Sequence, residues 1–391
     1  MTVQTPGTCQ ECGAPSVRRI EIDRDIRASS TLPAAVYSDP AFYAVQKERV
    51  FARSWQFAGD SARVKAPGHV LPFTLLDGCL DEPLVLASDE NAKLRCLSNV
   101  CTHRGALVVE GEGHLKGFRC RYHGRRFALD GSFVSMPEFD QTANFPTVSD
   151  NLPELPLNRW GPMLFTALSP AVSFNDWMAP VNARAGWMPL EQFRRDAASS
   201  HDYLINANWA LYCDNYLEEF HIPYVHQSLS AQLDYNAYYT ETFPHGSLQM
   251  GLAKPGEPVF DLPADHPDHG QRVAAFYFWL FPNLMLNFYP WGLSLNVISP
   301  LGTARTRVSF VSYVWNESLR EQGVGADLHV VEMEDEEVVE SVQRGVSSRL
   351  YDRGRFSARR EVGTHHFHHL LAQYMNGDSH SDTAGNSELQ R

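Results

Sequence analysis

Between Gln56 and Leu168 the apolar residues fall in short runs broken by turn residues. VLPFTLL (70–76), PLVLAS (83–88) and LRCLSNV (94–100) are separated by Asp-Gly and Asp-Glu-Asn breaks, and ALDGS (128–132) is a further hairpin signal. Such runs predict a small all-β domain. Proline-rich segments between Leu152 and Pro180 lead into a second region. There AAFYFWLFP, LMLNFYP, LSLNVISPL and RVSFVSYVW (274–315) predict consecutive strands of an antiparallel sheet. Helical patterns stand apart from these. One begins with Asp39 as N-cap and Pro40 at the first helical position, one is a long acidic helix over 328–347, and one spans 362–374. The expectation is an α+β chain of five segments: a flexible tail (1–35), a helix packing on the second domain (36–55), the β domain (56–168), the sheet-and-helix domain (169–376) and a disordered tail (377–391). The proline- and glycine-rich stretch 245–271 reads as a lid over a pocket.

At 391 residues the chain accommodates two domains. A net charge of −13 argues against nucleic acid or an anionic membrane surface as its main partner. No run of about 18 apolar residues and no signal-peptide pattern occurs, so the expected compartment is the cytoplasm. The seven cysteines, an odd number, read as reduced thiols and metal ligands rather than a disulfide frame. Cys9 and Cys12 form a lone CxxC in the tail, expected to hold no metal. Cys79 and Cys96 read as core residues.

Two short motifs carry metal chemistry. Cys101 and His103 form C-x-H, and Cys120 and His123 form C-x-x-H, within the matching contexts CTHRG and CRYHG. Two thiolates and two imidazoles, one of each per loop, suit a Rieske [2Fe–2S] centre. Zinc is the competing metal, but zinc fingers usually group their cysteines and their histidines separately. The second motif is CDNYLEEFHIPYVH (213–226), with His221 and His226 five apart. On a straight helix that spacing puts the side chains about 140° apart, so they converge only if Pro223 bends the chain. A metal pair and a buried turn both remain open on this stretch alone.

Two histidines and one carboxylate make a facial triad for non-haem Fe(II). The acidic helix offers six candidates for the carboxylate. Val331, Val338, Val342 and Val346 define an apolar stripe, and Asp335 lies on it, whereas Glu332, Glu334, Glu336, Glu337 and Glu340 flank or oppose it. A carboxylate on a buried face needs a cation, which singles out Asp335.

Across residues 35–375 the chain resembles the catalytic α subunits of Rieske non-haem iron oxygenases. The resemblance rests on both cysteine–histidine loops, on Asn208–Trp209, on Asp214–Asn215–Tyr216 with Glu218, His221 and His226, and on Asp335 with Gln343–Arg344–Gly345. It implies a Rieske domain followed by a helix-grip catalytic domain, with Asp335 as the iron's carboxylate ligand. It also implies a homotrimer in which Glu218 bridges toward a neighbouring subunit's Rieske histidine, with Asp214 as alternative bridge or as a partner orienting an iron histidine. The implied activity is O₂-dependent hydroxylation or oxidative demethylation of a small molecule, using a [2Fe–2S] cluster and a mononuclear Fe(II). No G-x-G-x-x-G fingerprint follows a strand, so NAD(P)H electrons would arrive through a separate reductase or ferredoxin.

Within that family the text is similar to the choline monooxygenase group, which points to a quaternary ammonium and to an aromatic cage drawn from Tyr235, Tyr238, Tyr239, Phe276, Tyr289 and Trp291. A ring-hydroxylating dioxygenase acting on an aromatic acid is the alternative of the same class. A zinc-binding interaction protein is the alternative of another class. Arg125–Arg126 stand where many relatives have tryptophan, and are expected to change the surface that meets the reductase. His365, His366, His368 and His369 have no completing carboxylate and are assigned to packing.

Overall fold

The computed structural model describes residues 17–320, 322–325 and 328–378. Cys9, Cys12 and the tail beyond 378 lie outside the described residues.

The β domain forms where the short apolar runs predict it. Strands Gly113–His114, His69–Leu75, Glu82–Ser88, Leu94–Ser98 and Glu154–Leu155 make a five-stranded sheet in that order. A second, three-stranded sheet (Phe118–Arg119, Arg126–Phe127, Phe133–Ser135) carries the CRYHG loop between its first two strands. Residues 128–132 turn the chain as a hairpin, with Asp130 accepting from the Ser132 amide and Gly131 at φ +88°.

The second region is built on a seven-stranded antiparallel sheet. Its strands are β1 (Arg194–Ile205), β2 (Tyr239–Phe243), β3 (Gly246–Leu252), β4 (Val273–Leu280), β5 (Leu284–Tyr289), β6 (Gly292–Gly302) and β7 (Arg305–Val314), in the order β1-β7-β6-β5-β4-β3-β2. Strand β1 has no apolar run. It is an edge strand, largely exposed and bulged between Asp196 and His201, so its solvated side chains hide it from a hydrophobic pattern.

Both faces of this sheet are covered. Phe276, Phe278, Leu286, Leu293 and Leu295 face the β domain and helix α2 (Phe174–Ala185). On the other face Trp279, Met285, Ile298 and Val308 pack with three helices: α3 (Trp209–Tyr216), α6 (Leu328–Val346) and α7 (Val362–Asn376). Between α3 and α6 lie two short helices, α4 (Ile222–Val225) and α5 (Gln227–Gln232). Helix α1 (Pro40–Arg49), capped by Asp39, joins the same core through Val45 and through Arg49 donating to the Met375 carbonyl.

Three expectations change. Residues 17–35 are seated rather than loose: Ile20 and Leu32 are buried, Arg19 pairs with Asp378, and His365 and His369 both reach the Asp23 carbonyl. Two apolar anchors and these polar contacts offset the entropy of ordering the segment. The stretch 245–271 is not a lid over the helix-side pocket. Its first part is the buried strand β3, and Phe260 and Leu262 then pack on the opposite face of the sheet. The buried stripe of α6 is Glu332, Val339, Gln343 and Val346, while Val342 is exposed and Val331 and Val338 are half-buried.

Candidate metal centres and cavity

The two cysteine–histidine loops have the same backbone. The Cys101 amide donates to Ala106 O and the Gly105 amide to Cys101 O; the Cys120 amide donates to Arg125 O and the Gly124 amide to Cys120 O. Gly105 and Gly124 sit at φ +72° and +77°, where a side chain would be strained. Both thiols are buried, and burial, then the adjacent Cys120 sulfur, push the Cys101 thiol up. The imidazoles lie outward: the rings of His103 and His123 are 4.8 Å apart, with His123 exposed. A donor set with sulfur inside and imidazole outside fits a two-iron cluster, which Cys101, Cys120, His103 and His123 would hold.

Arg125 is not a surface residue. It is buried beneath the second loop, its guanidinium 5.0–5.6 Å from the rings of Phe127, Phe133 and Phe145, and Nη2 is 2.6 Å from Asp150 Oδ1. An aromatic box takes the flat cation much as it would take a flat ring. Arg126 is the exposed member of the pair.

The second centre starts from a helix that stops early. Asn208 caps α3 through the Ala210 amide, and its own amide donates to Gln343 Oε1 of α6, so two of the sequence motifs dock on each other. The helix ends at Tyr216. His221 and His226 then bracket the single turn of α4, as N-cap and C-cap, with Pro223 inside its first turn. Convergence therefore comes from a break before His221 rather than from a bend at Pro223.

Asp335 of α6 meets both histidines. Its Oδ1 is 3.0 Å from His226 Nε2 and 3.7 Å from His221 Nε2, and one ligand atom from each of the three residues lies within 4.8 Å of the others. Each imidazole is held from behind by a carboxylate: Glu218 Oε1 is 2.6 Å from His221 Nδ1, and Glu334 Oε2 is 2.7 Å from His226 Nδ1. Those contacts place the proton on Nδ1 and turn the Nε2 lone pairs toward the metal position. Asn215 Nδ2 donates to Asp335 Oδ1 at 2.6 Å. Two imidazole nitrogens and one carboxylate oxygen fit a mononuclear iron.

Glu218 shares no helix face with His221, since it follows the end of α3. Its Oε2 instead accepts from the Phe220 and His221 amides, which fixes the loop. Asp214 points elsewhere: its carboxylate lies 2.8 Å from both Tyr37 Oη and His368 Nε2. It therefore orients no iron histidine. His366 bonds the Phe243 carbonyl, and with His365, His368 and His369 it ties α7 to its neighbours.

A cavity of about 110 Å³ opens beside the triad. A single water needs roughly 10–15 Å³ on this measure, so a small organic molecule has room. Of the expected cage, Tyr238 and Tyr289 line it, joined by Tyr212, Tyr216 and Tyr277. The other four do not. Phe276 points to the opposite face from Tyr277 because strand side chains alternate. Tyr235 lies under Arg360, Tyr239 meets Met250, and Trp291 stacks behind Tyr289 at 5.3 Å. Glu332, missed in the sequence because it fell beside the assumed stripe, also lines the cavity. It is 2% exposed, Oε2 accepts from Tyr212 Oη at 2.5 Å, and burial pushes its acid up to about 8.

Comparison with known proteins agrees with both centres. Residues 54–146 match the Rieske [2Fe-2S] domain family, and residues 190–377 match the ring hydroxylating alpha subunit (catalytic domain) family. Choline monooxygenase of Arabidopsis thaliana is 33% identical over 370 residues, covering 88% of this chain and 83% of that protein. The carnitine monooxygenase oxygenase subunit of Escherichia coli K12 is 31% identical over 357 residues, covering 88% and 93%. A quaternary ammonium Rieske monooxygenase in complex with L-carnitine has the same fold, with a TM-score of 0.73 at 24% identity, over 92% of this chain and 100% of that one. Naphthalene 1,2-dioxygenase from Rhodococcus sp. superposes with a TM-score of 0.69 at 22% identity, over 89% and 95%.

Proposed function

The chain belongs to the Rieske non-haem iron oxygenase α subunits, and from that premise we propose that it oxidises a small quaternary ammonium compound such as choline. The family works with a Rieske [2Fe–2S] cluster and a mononuclear iron and takes its electrons from a partner protein. Within the proposal, Cys101, His103, Cys120 and His123 hold the cluster, and His221, His226 and Asp335 hold the iron. The cluster domain spans 56–168 and the catalytic domain 169–376.

The observation that carries the substrate class is the cavity at the triad, walled by five tyrosines. Tyr238 and Tyr277 are stacked with centroids 6.4 Å apart, and Tyr289 stands edge-on to Tyr277 at 6.0 Å. Such faces attract a methylated ammonium. Choline and carnitine, named for the two relatives above, share that group.

When bound, the iron supplies O₂ activation: one oxygen atom enters a C–H bond and the other leaves as water, with two electrons and two protons consumed. The protein's own groups do the positioning. Glu218 and Glu334 hold the imidazoles, Asn215 holds Asp335, and the tyrosine walls exclude water and seat the substrate. We assign the electron bridge to Glu218, which touches His221 while keeping 13% of its side chain exposed. The exposed His123 of a neighbouring subunit would face it in a homotrimer. Free thiols at Cys79, Cys96 and Cys213 support a cytoplasmic setting, with a reductase or ferredoxin as donor.

Oxygen uptake by iron-loaded protein, with a surrogate reductase, is the test. Choline should stimulate uptake in step with formation of its aldehyde or of formaldehyde. Turnover of aromatic acids without turnover of any ammonium compound would overturn the reading in favour of a ring-hydroxylating dioxygenase.

A further inference from the structure

The cavity beside the triad contains a carboxylate that the positioning of the metal does not use. Glu218 and Glu334 each hold an imidazole and Asp335 faces both, but Glu332 touches none of these three residues' partners. Its Oε2 takes the Tyr212 hydroxyl, and its Oε1 has no hydrogen-bond partner among the described residues, although it is shut away from solvent. A buried carboxylate oxygen left unpaired is costly, and such groups are usually completed by something that binds. Glu332 is one helical turn before Asp335, so both project from the same side of α6 into the cavity.

The charge of the lining is one-sided. Glu218, Glu332 and Asp335 contribute carboxylates, and no lysine or arginine lines the cavity among the described residues. Away from the metal position a substrate carboxylate would find no side-chain cation and would meet acidic groups instead, whereas an ammonium finds both tyrosine faces and an unpaired carboxyl oxygen.

We propose that Glu332, held by Tyr212, is the anionic anchor for the substrate's ammonium, and that the site selects ammonium alcohols or simple alkylammonium ions over ammonium carboxylates. The proposal rests on the quaternary-ammonium reading and narrows it. Asp335 would be taken up by the iron it helps to hold, and Glu218 is engaged by an imidazole and two amides. Glu332 is thus the lining acid with an oxygen still free; burial keeps it mostly protonated in the empty cavity at neutral pH, and a bound ammonium favours its charged form, so choline binding should release a proton.

Equilibrium binding tests this without turnover, using anaerobic, unreduced holoenzyme in a calorimeter. The probes are choline, its uncharged isostere 3,3-dimethylbutan-1-ol, and the zwitterions carnitine and glycine betaine. The wild type should bind choline at least about tenfold more tightly than the isostere and the zwitterions, and Glu332→Gln should abolish that preference while keeping its affinity for the isostere. Retained isostere binding and an unchanged Rieske EPR signal show that the variant is folded. Glu332→Asp, which keeps the charge, should recover part of the preference. Choline binding equal in wild type and Glu332→Gln would overturn the anchor while leaving the ammonium reading intact. Carnitine bound as tightly as choline would overturn the selection against carboxylates. Failure of every ammonium probe to bind the wild type would overturn the parent reading and this one together.

Discussion

The loops Cys101–Gly105 and Cys120–Gly124 repeat one another bond for bond, each within one short stretch of chain. The triad is assembled differently, from a helical break at His221–His226 and from Asp335, 109 residues beyond His226. The difference follows from what each centre must do. Electrons enter the first from another protein, so its imidazoles lie outward on turns that need little support. The second must seat a small molecule away from water, so its ligands lie under helices, each imidazole backed by a carboxylate. A site that meets a partner can be local; a site that encloses a substrate has to be gathered from several elements.

Separating the two centres is the strongest way to break that comparison. Asp335→Asn should abolish turnover and remove the mononuclear iron, with the reduced Rieske EPR spectrum unchanged. A change in that spectrum would mean that the centres are not independently built. One step smaller, Glu334→Gln should weaken iron binding about 10- to 100-fold, measured by metal titration, because His226 loses the carboxylate that orients it.

On the Rieske side the corresponding support is Arg125. Replacing it with Met should lower the cluster's reduction potential, since a buried cation near the sulfurs favours the added electron. It should also cost about 2–3 kcal/mol of stability by leaving Asp150 without its partner. An unchanged potential would show that the Asp150 charge cancels the guanidinium's. Acid separates the regions further. Burial first, then contacts among neighbouring histidines, holds His366 and His369 down to about 4, so both are neutral in the folded state. Unfolded histidines titrate near about 6.5, so the unfolded chain gains protons first and this part of the stability is lost as pH falls from about 6.5 toward 4. The melting temperature should fall over that window, and less so in His366→Gln. The smallest effect is expected at Trp291→Leu, which stands behind Tyr289: choline affinity should change by no more than about threefold, against at least about tenfold for Tyr277→Ala.

What could be read from the sequence divides along the same line. The cysteine–histidine loops were legible because all their determinants are contiguous. At the triad, the histidine pair and Asp335 were legible, yet three of the four positions of the stripe used to choose Asp335 were displaced by one residue. The valines suggested 331, 338, 342 and 346, whereas α6 buries Glu332, Val339, Gln343 and Val346. A carboxylate and an amide occupy the buried face because Tyr212 and the Asn208 amide receive them, and no hydrophobic pattern reports that. The cage failed for a similar reason. Both faces of β4 are covered, so Phe276 and Tyr277 look equally buried in the sequence, and only the register against β5 tells them apart. Arg125 was misplaced at the surface because a charge rarely fills an aromatic slot.

The most direct test of two different iron centres in one chain is an EPR spectrum of anaerobically purified protein, before and after dithionite, with iron and zinc counted on the same sample. A Rieske signal that appears on reduction, with about one iron per chain beyond the two of the cluster, is the predicted result. Zinc in place of iron, with no signal on reduction, would contradict the oxygenase account at its base.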